Sequence, residues 1–306
     1  MSKPITSYTI EISSGQADLL RRHLESEKLE FVEKPYALFS AQRERLNVTV
    51  YEKGPKVLVQ GRDTTEFVQT VLEPDILGEA RLGLEETLNP EMFEPHFGVD
   101  ESGKGDYFGP LVIAGVFVNT ELARHLIESG VADSKRITSD ARIRKLSEVI
   151  RSAPGISYHV ISIEPERYNS LYEFFGNVNR MLAWGHAAVI EHLLSLQPDC
   201  PRALSDQFTN QDVLLDALQE KGRQIQLVQR TKAESDIAVA AASILARETF
   251  IDWMDSASDL TGIEIARGAS NSVKVSGKIF VRRYGTEKLT KYAKLHFQTS
   301  ESILRD

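Results

Sequence analysis

Cysteine is almost absent from this sequence: Cys200 stands alone among 306 residues. One thiol excludes an internal disulfide and every cysteine-rich zinc or iron–sulfur centre, and it fits a reducing compartment. The seven histidines form neither H-E-x-x-H nor another zinc pattern, and no G-x-S-x-G marks a serine hydrolase. No apolar run reaches signal-peptide or membrane-span length, so a soluble, cytoplasmic protein is expected. Nor is positive charge in surplus. Lys and Arg number 36 against 44 Asp and Glu, a formal net charge of -8, whereas a nucleic-acid partner usually leaves a basic footprint.

That average conceals a local asymmetry. Between positions 274 and 294 stand Lys274, Lys278, Arg282, Arg283, Lys288, Lys291 and Lys294, against the lone acid Glu287. Such a run is ordinarily a solvated helix face. It becomes a polyanion track if a phosphate-directed site lies elsewhere in the chain.

Three regions follow from the pattern of apolar residues. Residues 1–75 read as a small α/β unit of order β-α-β-β-β-α, with strands at "YTIEI", "YALFSA", "RLNVTVYE" and "KVLVQG". Its last helix, "DTTEFVQTVLEP", is expected to be capped near Asp63 or Thr64 and stopped by Pro74. Period two puts Leu46, Val48 and Val50 against the helices and Arg43, Arg45, Asn47, Thr49 and Tyr51 on the opposite face. That face is either simply wet or suited to phosphate and base contacts. Residues 76–94 are acidic, carry Pro90 and read as a connector. From 95 to 306, strands alternate with helices such as "TSDARIRKLSEVIRSAPG", capped by Thr138 or Ser139, which implies an α/β sheet with helices layered on its faces.

The second region opens on "GVDESGKGDYFGP", a near copy of a nucleotide-binding loop. Gly98, Gly103 and Lys104 fit G-x-x-x-x-G-K, but Gly105 replaces the hydroxyl residue and the apolar "PLVIAGVFV" that follows is a strand, not a helix. Asp100 and Glu101 would also repel a triphosphate. The dinucleotide fingerprint fails on spacing and on the same missing helix.

A metal site accounts for the acids better. Adjacent carboxylates at a strand end are costly unless a cation neutralises them. Neighbouring strand residues face opposite ways, so the backbone is expected to bend there, as the flanking glycines permit. Asp206 ends the predicted strand "RALSD", and Glu234 and Asp236 begin a helix whose dipole favours an ionised acid. Each alone suits capping or solvation. Together they form an oxygen-only set that suits Mg²⁺ or Mn²⁺, two of which can organise attack of water on a phosphodiester.

These residues resemble the type 2 ribonuclease H family, and among its branches the ribonuclease HIII branch most. The resemblance rests on "GVDESGKGDYFGPLVIAG", "DSK" at 133–135, "SDQF" at 205–208, "TKAES" at 231–235, "AVAAASILAR" at 238–247 and "KLHFQT" at 294–299. The HII branch usually has arginine at the position of Lys104 and lacks both the "DYF" insertion and the N-terminal unit. The resemblance implies a ribonuclease H-like catalytic domain at 95–306, preceded by a TBP-like substrate-binding domain at 1–75. It implies endonucleolytic cleavage of the RNA strand of RNA–DNA hybrids with two Mg²⁺ or Mn²⁺ ions, giving 5′-phosphate and 3′-hydroxyl ends. Water would be the nucleophile, with no covalent intermediate. Asp100, Glu101 and Asp206 would hold metal and Asp100 would bridge the two ions. Glu234 matches the fourth acid by motif, yet the interval to "AAAS" is one residue short, so Asp236 could substitute. Gly103, Lys104 and Gly105 would meet ribose 2′-hydroxyls, the group that separates RNA from DNA. Lys135 and the basic C-terminal segment would bind phosphates. A monomer is expected. The competing readings are incision at single ribonucleotides in DNA, a non-catalytic hybrid-binding protein, and a general Mg²⁺-dependent DNA nuclease.

Overall fold

The run Leu111–Val118 is buried at every position, as a strand covered on both faces must be. In the computed structural model it is the second strand of a five-stranded sheet and the key to the larger of two compact units, Met1–Pro90 and Glu91–Asp306. The structure describes residues 5–78, 89–132, 134, 137–208, 211–218, 222–231 and 233–305. Most of the predicted connector, residues 79–88, and Lys135 of "DSK" lie outside them.

In the first unit the elements are β1 (Ser7–Glu11), α1 (Ser14–Ser26), β2 (Glu30–Phe31), β3 (Ala37–Arg43), β4 (Leu46–Tyr51), β5 (Lys56–Gln60) and α2 (Thr64–Phe67), which continues as a wider π-helix over Val68–Leu77. The strands form an antiparallel sheet in the order β1-β5-β4-β3-β2. Ser13 starts α1 through a capping box. Its Oγ accepts from Gln16 N at 3.2 Å, and Gln16 Oε1 accepts from Ser13 N at 2.8 Å. Leu20, Leu24, Val48, Val50, Val57, Val59, Val68 and Leu72 close the core between sheet and helices.

Three local expectations are corrected here. Pro74 lies inside the π-helix rather than ending it, and Gly78, at φ 72°, makes the stop. Asp63 precedes α2 without a side-chain cap bond, because its carboxylate pairs with Arg45 at 3.2 Å. Arg43 and Arg45 do not share a face with Asn47, Thr49 and Tyr51. Arg45 sits in the β3–β4 turn, and Arg43 ends β3 opposite Leu46, on the side of Ala41 and Val48. The opposite face instead aligns Ser40 with Thr49, both buried, and Gln42 with Asn47. The two-residue β2 is too short to show any period in the sequence.

The second unit runs β6 (His96–Ser102), β7 (Leu111–Val118), α3 (Thr120–Glu128), α4 (Asp140–Ser152), β8 (Tyr158–Ile163), α5 (Pro165–Phe175), α6 (Val178–Leu196), β9 (Arg202–Asp206), α7 (Gln211–Ala217), β10 (Gln226–Arg230), α8 (Ile237–Thr261), α9 (Asn271–Tyr284), α10 (Thr286–Leu289) and α11 (Gln298–Leu304). Ser139 caps α4, its Oγ accepting from Arg142 N at 3.4 Å. The sheet order is β10-β9-β6-β7-β8, with β10, β9 and β6 parallel and the β6-β7-β8 pairs antiparallel.

Glycines let the two long helices close on this sheet. A Cβ at Gly98 would stand 2.2 Å from both Ala238 C and Val239 N, so α8 lies directly on β6. One at Gly115 would stand 2.5 Å from Val189 Cγ1, which seats α6 on the opposite face. The alanines at 238, 240, 241 and 242, all buried, allow the same approach from the helix side.

Candidate active site

Parallel pairing brings the acids to one end of the sheet. Val99 lies opposite Ser205, so the next residues, Asp100 on β6 and Asp206 on β9, emerge side by side at the carboxyl ends of adjacent parallel strands. Their side chains share the face on which Gly98 meets α8, because strand side chains alternate. Glu101 takes the other face, towards α6. The expected bend between Asp100 and Glu101 is not present. The ladder to β7 continues through Asp100–Ala114, Glu101–Ile113 and Ser102–Val112, and the chain turns only at Gly103, φ 83°. A side chain there would run into Pro110 O at 2.2 Å. Gly105 is different: nothing stands within 4 Å of its missing Cβ, so its bareness faces open space.

Asp100, Glu101, Gly103, Lys104, Gly105 and Asp206 line one cleft of about 290 Å³, together with Ser134, Ser243 and Arg247. Among the described residues, no three carboxylate, imidazole or thiol groups are already drawn together as a cage. Mg²⁺ does not require one. It keeps several waters and takes one or two carboxylates plus substrate phosphate oxygens. The donor set facing the cleft, carboxylates without thiol or free imidazole, fits such a hard cation.

Glu101 is fixed from behind. His186 on α6 is fully buried and its Nε2 lies 3.1 Å from Glu101 Oε2, while its Nδ1 meets Ser205 Oγ at 3.1 Å. Lys104 Nζ stands 3.6 Å from Glu101 Oε1. Burial alone would raise the Glu101 pKa. The His186 hydrogen bond and the charges of His186 and Lys104 outweigh it and hold the carboxyl below its ordinary value. Ser134 and Ser243 share a 2.7 Å hydroxyl contact, and Arg247 Nη1 donates to the Ser134 carbonyl at 2.6 Å.

The two candidates for a fourth acid are placed very differently. Asp236 is 1% exposed. Its Oδ1 accepts from Ala238 N at 2.9 Å and Val239 N at 3.3 Å as the N-cap of α8. His96 Nε2 lies 3.0 Å from the same oxygen, and His96 Nδ1 donates to the Glu94 carbonyl at 2.7 Å. That carboxylate is fully engaged and does not line the cleft. Glu234 lies in the short 3₁₀ turn Ala233–Ser235, whose first residue points its N–H at Asp206 Oδ1, 3.4 Å away. The backbone thus holds Glu234 beside Asp206.

His186, Ser243 and Arg247 were not singled out in the sequence as parts of a site. His186 reads as one more core position of a long helix, and nothing in its spacing ties it to an acid 85 residues away. In the basic C-terminal run, Lys294 is fully buried and is no phosphate ligand, whereas Arg282, Arg283, Lys288 and Lys291 are exposed.

A mixed sheet of this order, with acids on the adjacent parallel strands β6 and β9 beside a glycine loop, defines a nuclease of the ribonuclease H class. The family model described as Ribonuclease HII matches residues 97–300. Among curated relatives, the Ribonuclease HIII of Protochlamydia amoebophila (strain UWE25) is 41% identical over 288 residues, covering 94% of this chain and 93% of its own. That of Chlamydia felis (strain Fe/C-56) is 39% identical over 300 residues, covering 97% of each. The solved structure of Bst-RNase HIII in complex with Mn²⁺ superposes with a TM-score of 0.67 at 26% identity over 98% of both chains. The ribonuclease H2 of Pyrococcus horikoshii OT3, 21% identical, shares the fold over 69% of this chain (TM-score 0.58). The chain belongs to the ribonuclease HII family and, along nearly its whole length, to the ribonuclease HIII group within it.

Proposed function

We propose that the chain hydrolyses the RNA strand of RNA–DNA hybrids endonucleolytically, with divalent cations held by Asp100, Glu101 and Asp206 and with Glu234 as the fourth acid. The observation that carries this reading is the side-by-side exit of Asp100 and Asp206 from parallel strands, next to the Gly103-Lys104-Gly105 loop whose Gly105 faces open space. Mg²⁺ or Mn²⁺, when bound, supplies Lewis-acid charge at the phosphodiester and a water made nucleophilic at neutral pH. A Mn²⁺ complex of a relative supports that ion class.

The remaining roles belong to the chain. Asp100 and Asp206 place two carboxylates on one face of the sheet, where they would hold the divalent cations. Glu101 contributes from the other face, oriented by His186. Gly105 lets a ribose approach backbone groups, and the 2′-hydroxyl is the only sugar group that tells RNA from DNA. Water attack without a covalent intermediate leaves 5′-phosphate and 3′-hydroxyl ends. Lys104, Lys135 and the exposed cations of α9 and α10 bind backbone phosphates. The Met1–Pro90 unit acts as a substrate-binding platform, and the enzyme works as a cytoplasmic monomer. Among the described residues no helix is long and apolar enough to cross a membrane.

Labelled RNA–DNA hybrid, DNA duplex with one embedded ribonucleotide, and plain DNA duplex, each with Mg²⁺, Mn²⁺ or EDTA, test the reading together. Metal-dependent cutting of the hybrid, weak cutting at the single ribonucleotide and none of plain DNA are expected. Equal cutting of plain DNA would sink it.

A further inference from the structure

Lys294 is the one cation of the basic C-terminal run that the fold hides, at 0% exposure. Its Nζ donates to the Asp106 carbonyl at 2.9 Å and the Gly109 carbonyl at 2.6 Å, and lies 5.5 Å from the centre of the Tyr168 ring. Those two carbonyls bracket Asp106-Tyr107-Phe108, the inserted "DYF" of the glycine loop. Backbone bonds join the same pieces. Lys294 N donates to Tyr107 O at 2.8 Å, Gly109 N donates to Tyr292 O at 3.0 Å, and Phe108 bridges to Ala293. The far side of the insertion is held as well, since Tyr107 N donates to Gly268 O at 2.9 Å and Gly268 N to Asp106 Oδ1 at 2.6 Å. From α5, Asn169 Nδ2 donates to Ala293 O at 3.0 Å, and its Oδ1 accepts from Leu295 N at 2.9 Å.

A buried carbonyl without a donor is costly; the contact to Gly109 O is buried and that to Asp106 O partly so. Methionine in place of Lys294 would fill much the same volume and leave both unmet. The loop they belong to begins at Gly103, two residues after Glu101 and next to the end of β6, and its first turn is short, with Asp106 N donating to Gly103 O at 3.2 Å. The lysine therefore acts on the stretch of backbone that approaches the ribose, through the insertion, without touching substrate.

We propose that Lys294 is a positioning residue that sets the Gly103–Gly109 loop against the ribose 2′-hydroxyl, so that the tail segment Tyr292–Phe297 governs how strictly the enzyme demands RNA. This deepens the function proposed above and rests on its reading of the glycine loop. The test is a binding ratio. Dissociation constants are measured by fluorescence anisotropy for an RNA–DNA hybrid and for the same hybrid with every ribose 2′-fluorinated, with Ca²⁺ replacing Mg²⁺ to hold turnover. The wild type should prefer the hydroxyl duplex by about fivefold for each hydrogen bond lost. Lys294→Met should bring that preference close to one. Lys294→Gln, one bond shorter and able to reach one carbonyl, should fall between. A lysine that served stability alone would weaken both duplexes equally and leave the ratio unchanged; that result in Lys294→Met overturns the proposal. Should Lys294→Met fail to fold, a wild-type ratio in Lys294→Gln overturns it instead. A wild type with no preference would refute the glycine-loop reading itself, and the proposal with it.

Discussion

Replacing His186 with leucine removes the group that orients Glu101 while keeping a side chain of similar bulk in the core. Two contacts disappear, at 3.1 Å to Glu101 Oε2 and 3.1 Å to Ser205 Oγ. The second is a modest loss, because Ser205 Oγ also donates to the Asp206 carbonyl at 3.1 Å. The first is larger: a hydrogen bond to an ionised group contributes about 1.5–3 kcal/mol. Lys104, at 3.6 Å and 39% exposed, cannot replace it, since a solvated lysine at that distance offers well under about 1 kcal/mol. Glu101 would keep its charge but lose its direction. Removing a partner that orients a metal-binding carboxylate typically costs about 10- to 100-fold in metal affinity. Hybrid-cleavage rates titrated with Mg²⁺ should therefore show half-saturation displaced upward by about that factor, with the maximal rate largely recovered at high Mg²⁺. A variant with wild-type half-saturation, or one whose lost activity no concentration of Mg²⁺ restores, would refute the reasoning.

Three further outcomes are expected. Gly98→Ala forces a methyl into the α8 backbone at 2.2 Å; it should cost about 1–3 kcal/mol or more in urea unfolding, and a change below about 0.5 kcal/mol would contradict the packing described. Glu234→Gln and Asp236→Ala should separate cleanly. The first abolishes turnover with little change in Tm. The second removes a cap worth about 1 kcal/mol and leaves buried His96 without its carboxylate partner, a further cost of about 1–3 kcal/mol, so it shows first as lost stability. Burial pushes Lys294 from the ordinary lysine value of 10.5 down to about 7, against the opposing charge of Asp106. Between those values the unfolded chain binds the extra proton, so the wild type should gain stability as pH rises from about 7 towards 10.5. Lys294→Met should lack that rise, and parallel stability curves for the two proteins would contradict the burial effect.

The parts of the site legible in the sequence were those carried by local chemistry. Asp100 and Glu101 stood out because two acids among glycines at a strand end have few other uses, and Asp206 because it closes a short apolar strand. What stayed hidden was set by contacts between distant segments. His186 looks like any other core position of α6 until β6 is laid beside it, and Lys294 looks like one more surface cation until the glycine loop is folded over it. The choice between Glu234 and Asp236 is of the same kind. In the sequence both read as the start of one helix; the fold puts Glu234 in a 3₁₀ turn before α8 and engages Asp236 with His96 and the α8 N-terminus. Local phase errors had local causes. The β3–β4 turn consumed Glu44 and Arg45 and so moved Arg43 and Arg45 off the face assigned to them. The wider π-helix absorbed Pro74, whose missing N–H ends an ordinary helix.

If the acids leaving β6 and β9 hold the catalytic ions, anomalous diffraction from crystals soaked in Mn²⁺ will show a peak in the cleft within coordinating distance of Asp100 and Asp206, reached also by Glu101, and that peak will be lost in Asp206→Asn. Mn²⁺ found instead at Asp236, or an undiminished peak in Asp206→Asn, would contradict that placement of the ions.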